Sequence, residues 1–385
     1  MGDSAAPAAG SVAPAATGFR ERVRAFRERH KRLESVAFFA GGFCFDLLLL
    51  ERIDSVPMLI HQGSYLLLLS ILLVVDHHFA VVGEPHGRWG KVLHLRTELI
   101  HFLFGTLLNA FLVFYFKASS GIWAAVFLAG LCALLLANEM ERFRKIGPVM
   151  RIALWSFAVV SWFGYLLPVV FGFLSLWLFL AATAIAAAAT VTAWRISARW
   201  TKDPAWTFTR ACLPGLSLQA LLLGLYLLHV VPPVPLSLKR IGVYHGAMRD
   251  PDLGVIHLLS RPSPWPALLR PHGETTFLAR PGDRLSVFVR VFAPRHFKDG
   301  VRVRWAWRDA RGKWLETDAM PLTLTGGEEQ GWSAVAWKDH WEPGRWRVRV
   351  ETDDGREVGH LSFRVVPTDD DAVFDEEIVS LRAER

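Results

Sequence analysis

The sequence predicts a two-part chain, an α-helical membrane bundle of seven spans followed by an all-β, immunoglobulin-like sandwich domain. Three observations lead there. Apolar residues make up 52% of the 385 residues, yet they concentrate before Pro232. They form seven runs close to the ~20 residues that cross ~30 Å of hydrocarbon. From Pro232 onward, short alternating segments bounded by turn residues take over. Charge divides in the same way: the net charge is +7, but the part from Pro232 holds 23 Lys+Arg against 23 Asp+Glu. The basic excess therefore reflects membrane topology, and a nucleic-acid partner is not expected.

The opening stretch "MGDSAAPAAGSVAPAATG" (1–18) is Ala/Pro-rich and lacks the apolar centre of a secretion signal, which predicts a disordered arm. Ala6 also breaks the myristoylation pattern. In 19–34, Phe19, Val23, Phe26 and Leu33 recur at helical spacing among arginines. This segment reads either as an amphipathic helix on an anionic leaflet or as a solvated charged helix. The seven spans are placed at 35–51, 57–76, 97–117, 121–139, 149–170, 173–194 and 211–231. Cys44, Cys132 and Cys212 all fall within them and read as small apolar residues, so the β domain has no disulfide.

Lys and Arg alternate strongly between connections. They crowd the segment before the first span (Arg20 to Arg32), the second connection (Arg88, Lys91, Arg96), the fourth (Arg142, Arg144, Lys145, Arg151) and the sixth (Arg195, Arg199, Lys202, Arg210). The intervening connections hold only Arg52 and Lys117. Basic side chains resist translocation, so the amino terminus is expected in the cytoplasm and the domain after the seventh span outside it.

Polar groups at membrane depth are costly and face the bundle interior. Asp46 in "GGFCFDLLLL" and Asn109 in "FGTLLNAF" fall at similar depth, suiting either a structural hydrogen bond or a proton or ion pathway. Glu98, His101, Asn138 and Glu139 fall near the cytoplasmic ends of the third and fourth spans, where they read as interfacial groups or as a metal site. "DHHF" (76–79) is a poor metal motif because adjacent histidines diverge on a helix. No cofactor is expected. The small-residue stretch "AATAIAAAATVTAW" (181–194) predicts close helix packing.

Pro232, Pro233 and Pro235 then end the last span and form a stiff linker. "SLKRIGVYHGAM" alternates as a strand, "RDPDLG" turns, and "VIHLLS" returns. Further strands are predicted at 284–292, 301–308, 320–325, 332–337, 345–352 and 357–366, and the sandwich spans 232–367 before an acidic tail at 368–385. Alternation puts Val301, Val303, Trp305 and Trp307 inward, with Trp346, Val348 and Val350. It puts Arg302, Arg304 and Arg308 outward, with Arg345, Arg347 and Arg349. If the two strands are neighbours, a basic stripe forms, which Glu351, Asp353 and the acidic tail could neutralise. Trp337 and Trp341, beside a turn, are candidates for stacking on a sugar or a protein partner.

The chain resembles bacterial membrane proteins that end in "domain of unknown function 2914". The resemblance rests on "GFCFDLLLLERID", "FGTLLNAFLVFYFKASS", "LLLANE", "VPPVPLSLKRIGVYH", "LTLTGGEEQGWSAVAWK" and "PGRWRVRVETDDGREVGHLSFRV". It implies an inner-membrane protein with a periplasmic terminal domain, and no activity. One departure is that relatives tend to carry arginine around the Gly-Gly turn, where this chain has Glu328 and Ser333. Two functions stay open: a non-enzymatic module that contacts the lipid bilayer and binds an envelope protein or glycan, and a transporter or lipid-handling enzyme using the bundle's polar residues.

Overall fold

The computed structural model describes residues 53–83, 95–139, 148–250, 252–262, 272–326, 331–369 and 374–380. The predicted arm, basic helix and first span, with Asp46, lie outside the described residues, as does Glu328. The helical part comprises α1 (Val56–Val82), α2 (Arg96–Lys117), α3 (Gly121–Glu139), α4 (Pro148–Phe171) and α5 (Leu176–Ser197). A short α6 (Pro204–Thr207) runs through a π-helical turn (Phe208–Cys212) into α7 (Leu213–Leu227). Among the described residues five helices are long and apolar enough to cross a membrane: α1, α2, α4, α5 and the run Pro204–Leu227. The apolar stretch Gly121–Leu135 of α3 is shorter.

The last helix differs from expectation at both ends. It starts before 211 because Asp203 caps it, accepting from the Trp206 main-chain nitrogen at 3.0 Å, and Pro204 suits the first helical position. It stops at Leu227, ahead of the prolines, where His229 adopts a left-handed φ of 57°. Pro232, Pro233 and Pro235 are buried, so the segment is no solvent-exposed linker.

Small residues set the spacing of α4, α5 and α7. Ala182, Ala186 and Thr190 form the buried face of α5. A Cβ on Gly215 would lie 2.9 Å from Thr190 Cγ2, so only glycine fits this approach. Polar side chains here bond across helices: Gln219 Nε2 donates to Thr190 Oγ1 at 2.9 Å, and Trp155 Nε1 donates to Ser70 Oγ at 2.8 Å. Interhelical bonds of this kind hold helices together where hydrocarbon supplies no hydrophobic drive.

The β part contains β1 (Ser237–Tyr244), β2 (Gly246–Asp250), β3 (Val255–Ser260), β4 (Thr276–Ala279), β5 (Leu285–Phe292) and β6 (Lys298–Arg308). It continues with β7 (Trp314–Thr325), β8 (Trp332–Lys338), β9 (Gly344–Thr352), β10 (Glu357–Pro367) and β11 (Asp375–Ser380). The sheets run β1-β5-β8, β4-β10-β9-β6-β7 and β11-β3-β2. The first two share one core, built from Val287, Val289 and Val291 on one side and Trp305, Trp346 and Val348 on the other. Alternation placed Trp305, Trp346 and Val348 correctly. Trp307, expected inward, is half-buried at the rim, its Nε1 donating to Pro343 O at 3.2 Å.

Two expectations are corrected. First, β1 pairs with β5, while β2 and β3 form a hairpin in the third sheet. Second, the acidic segment is not simply a tail, because Asp375–Ser380 pairs along β3 and buries Val379 beside Ile256 and Leu258. Its Glu377 binds Arg240 at 2.6 Å and its Glu376 binds His257 at 2.7 Å, so these acids neutralise the third sheet's neighbourhood and not the arginine stripe.

The β part sits on one end of the helices. Lys298 N donates to Gly172 O at 2.8 Å, Leu174 N to Asp299 Oδ2 at 2.9 Å, and Arg295 N to Asp54 Oδ2 at 3.0 Å. At the opposite end, Asp76 of α1 accepts from Arg96 of α2 at 2.8 Å and Arg151 of α4 at 2.6 Å. The described Arg96 and Arg151 and the β domain thus occupy opposite ends of the helices.

Candidate functional site

The outer face of the five-stranded sheet carries the arginines that alternation predicted. β6 and β9 are neighbours, as are β9 and β10, so the stripe is real. The register creates two arginine pairs directly across from each other: Arg304 faces Arg349, and Arg345 faces Arg364. Like charges in such positions destabilise a sheet.

The first pair is neutralised from within. Arg304 donates to Glu351 at 2.9 Å and to Glu316 at 2.8 Å, while Arg349 reaches Glu316 at 2.6 Å and Glu351 at 3.3 Å. The Glu351 hydrogen bond and charge are the main causes that hold the Arg304 guanidinium above its already high ordinary pKa. Arg302 pairs with Asp353 at 3.2 Å.

The second pair has no such partner. Arg345 and Arg364 are exposed, and neither forms an ion pair with any described residue. With Arg308, Arg347, Trp314 and Ser362 they line an open cavity of about 540 Å³. Arg347 lies 4.4 Å and Arg308 5.9 Å from the centre of the Trp314 ring. Arg308 Nε donates to Gly312 O at 3.0 Å, and Arg347 Nε lies 3.4 Å from Ser362 Oγ. Four guanidiniums and two tryptophans, Trp314 and Trp346, line the cavity, with no carboxylate. This arrangement suits the oxygen atoms of an anionic ligand, which arginine binds in a planar fork.

The predicted residues therefore divide. Arg345 and Arg347 line the cavity, while Arg302 and Arg304 belong to the neutralised part of the face. Trp337 is 48% exposed, with the Arg284 guanidinium 5.9 Å from its ring. Trp341 instead packs against the core and donates from Nε1 to Asp283 O at 2.7 Å, which makes it a structural residue. Arg364 and Trp314 escaped the sequence reading because only the register brings them beside β9. Ser333, the departure from the family pattern, accepts from Arg290 Nε at 2.9 Å.

In the helices, Asn109 is half-buried on α2, and its predicted partner Asp46 is outside the described residues. Glu98 is exposed and His101 half-buried near the start of α2. Asn138 and Glu139 end α3, and their side chains lie outside the described set. Among the described residues, no three His, Cys, Asp or Glu side chains gather as a metal site. The charged cluster missed by the sequence reading is Asp76 with Arg96 and Arg151. Asp76 was read only as part of "DHHF", although its partners lie on two other helices.

Comparison with solved structures finds only weak likeness. An immunoglobulin-like protein from Pseudomonas aeruginosa is 14% identical over 32% of this chain and 96% of that one, with a TM-score of 0.18. A mutant β-glucosidase from Listeria innocua in complex with laminaribiose is 15% identical over 24% of this chain and 15% of its own, with a TM-score of 0.18. The alkylpurine DNA glycosylase AlkC from Pseudomonas fluorescens is 12% identical over 82% of this chain and 99% of that one, with a TM-score of 0.22. Similarity at this level carries no assignment. No curated protein matches the chain. The family described as "Protein of unknown function (DUF2914)" matches residues 298–365, from the start of β6 almost to the end of β10. The four arginines of the cavity thus lie within the matched segment, which falls toward the C-terminal end of the chain.

Proposed function

We propose that the chain is a multi-pass protein of a bacterial inner membrane, with seven spans and a cytoplasmic amino terminus. Its immunoglobulin-like β domain faces the periplasm and binds the anionic groups of an envelope protein or glycan, without catalysis. The observation that carries this reading is Arg345 directly opposite Arg364 with no carboxylate in the cavity lining. The adjacent Arg304–Arg349 pair has two glutamates, so neutralisation from within the sheet is available to this fold but not used at the cavity. An external anion would remove the repulsion. The position of Arg96 and Arg151 at the end of the helices away from the β domain supports the orientation.

The test is calorimetric titration of the purified full chain, in detergent at low salt, with polyglutamate and separately with oligogalacturonate. Arg345→Ser and Arg364→Ser should each weaken binding by about 1.5–3 kcal/mol, the value of a hydrogen bond to a charged group. Arg304→Ser should leave it nearly unchanged. Binding by one probe alone would decide between protein-like and glycan-like partners. No binding of either, or equal losses in all three variants, would defeat the reading.

A further inference from the structure

α1, α4, α5 and the α6–α7 run enclose a cavity of about 720 Å³, within the ~300–1,000 Å³ typical of small-molecule sites. The Ala-rich stretch of α5 explains it. One face of that helix, Ala182, Ala186 and Thr190, is buried in close packing. Ala189 and Ala193, four residues apart on another face, line the cavity and leave it open. Val74, Ile152 and Trp155 complete an apolar wall.

One end of the cavity is polar and basic. It is lined by Asp76, His77, Arg151 and Arg210. Asp76 is shared between two guanidiniums, at 2.8 Å from Arg96 and 2.6 Å from Arg151, so positive charge exceeds negative at this end. Arg210 is exposed, and its guanidinium lies 5.1 Å from the centre of the Trp206 ring. The buried Nε2 of His77 has no hydrogen-bond partner. Arg195, Arg199 and Lys202 are exposed along the same end of the helices. The nearby carboxylate of Asp203 is engaged as the cap of α6.

From this geometry we infer that the cavity is a binding site for a membrane phospholipid with an anionic headgroup. An acyl chain lies along Ala189 and Ala193, and the headgroup meets Arg210 beside Arg151. An apolar cavity holds water poorly, and a bilayer supplies chains of the right chemistry. The charge at the open end selects among headgroups. This inference rests on the helices crossing a bilayer, as proposed above, and is independent of the β-domain site.

The test uses the full chain reconstituted in equal amounts of phosphatidylglycerol and phosphatidylcholine, re-extracted in detergent and weighed by native mass spectrometry. One phosphatidylglycerol should be retained, preferred over phosphatidylcholine by about five-fold or more, the effect of one basic residue near an anionic surface. Ala193→Trp should abolish retention by filling the cavity. Ala184→Trp, at an exposed position of the same helix, should not. Arg210→Glu should erase the headgroup preference. Because Arg210 is exposed, this variant decides the matter even if Ala193→Trp fails to fold. Equal retention of both lipids by the unmodified chain, retention of free fatty acid instead, or an unchanged preference in Arg210→Glu would each overturn the inference. Recovery of the chain in the soluble fraction without detergent would overturn the bilayer reading itself.

Discussion

Arg356 donates from Nη1 to the main-chain oxygen of Tyr226 at 2.9 Å, and its guanidinium lies 3.5 Å from the centre of the Tyr226 ring. Arg356 belongs to the turn between β9 and β10, whereas Tyr226 is in the last turn of α7. The final carbonyls of a helix lack intrahelical donors and carry the negative end of its dipole, so a cation there is stabilising. Tyr226 in turn stacks on Phe179 of α5 at 3.7 Å with the rings 2° from parallel. Asp354 holds Arg356 Nε at 2.7 Å, and Arg356 is only 4% exposed. The β domain is therefore joined to the bundle by a buried cation as well as by the proline segment.

Arg356→Ala should lower the stability of the full chain by about 1–3 kcal/mol, because it removes a buried charged donor from both the Tyr226 carbonyl and the Asp354 carboxylate. Arg356→Lys should recover only part of this, since an ammonium lacks the planar fork. Thermal unfolding in detergent measures both. An unchanged Tm in Arg356→Ala would show that the contact contributes nothing.

The same junction should weaken in acid. Burial opposes ionisation of Glu357, but hydrogen bonds from His360 and Ser120 outweigh it and hold the carboxyl below its ordinary value. Asp354 behaves alike: burial opposes its charge, and Thr352 and Arg356 overcome the penalty. A folded-state pKa below the unfolded one contributes stability above the ordinary carboxylate range, and that stability is lost as pH falls through the lower folded value. Tm should therefore fall on acidification through that range, and less steeply in Glu357→Gln. Equal slopes in the two proteins would refute the assignment.

Gly172, between α4 and α5, has φ +80°, and a Cβ there would lie 2.6 Å from His296 O. Gly172→Ala combines a left-handed backbone, costing ~1–2 kcal/mol, with a clash against the main chain of the β domain. It should destabilise the chain clearly. Gly224→Ala, inside α7 with nothing within 4 Å of the added atom, should be neutral or stabilising by ~0.5–1 kcal/mol. Similar Tm changes in both would mean that the junction yields at no cost.

The proposed orientation predicts that a periplasm-active phosphatase is active when fused after Val231 and inactive when fused after Lys145. The opposite pattern would invert the topology.

Much of the fold was legible because its signals are local. Run length located the described apolar helices, five of them long enough to cross a membrane, and alternation placed Trp305, Trp346, Val348 and Val350 inward with their neighbouring arginines outward. Turn residues bounded most strands correctly. β4 escaped because "TFLA" is too short to show a period, and its parallel pairing with β10 is remote in sequence. β11 escaped because its acids masked a strand with one buried valine, Val379. At the candidate site, Arg345 and Arg347 were legible from alternation on β9. Arg364, on another strand, was not placed beside them.

By itself the sequence determined most of the described apolar helices, most of the longer strands, and which face of β6 and β9 bears arginine. These properties follow from periods of 3.6 and 2 residues within a single element. Only the tertiary structure decided which arginines are neutralised. Glu316 on β7 and Glu351 on β9 meet Arg304 and Arg349, while Arg345 and Arg364 meet each other. It likewise brought Asp76 to arginines on two other helices and set Arg356 against the end of α7. Charge balance depends on distance in space, and strand register and helix packing bring together residues that no local pattern relates.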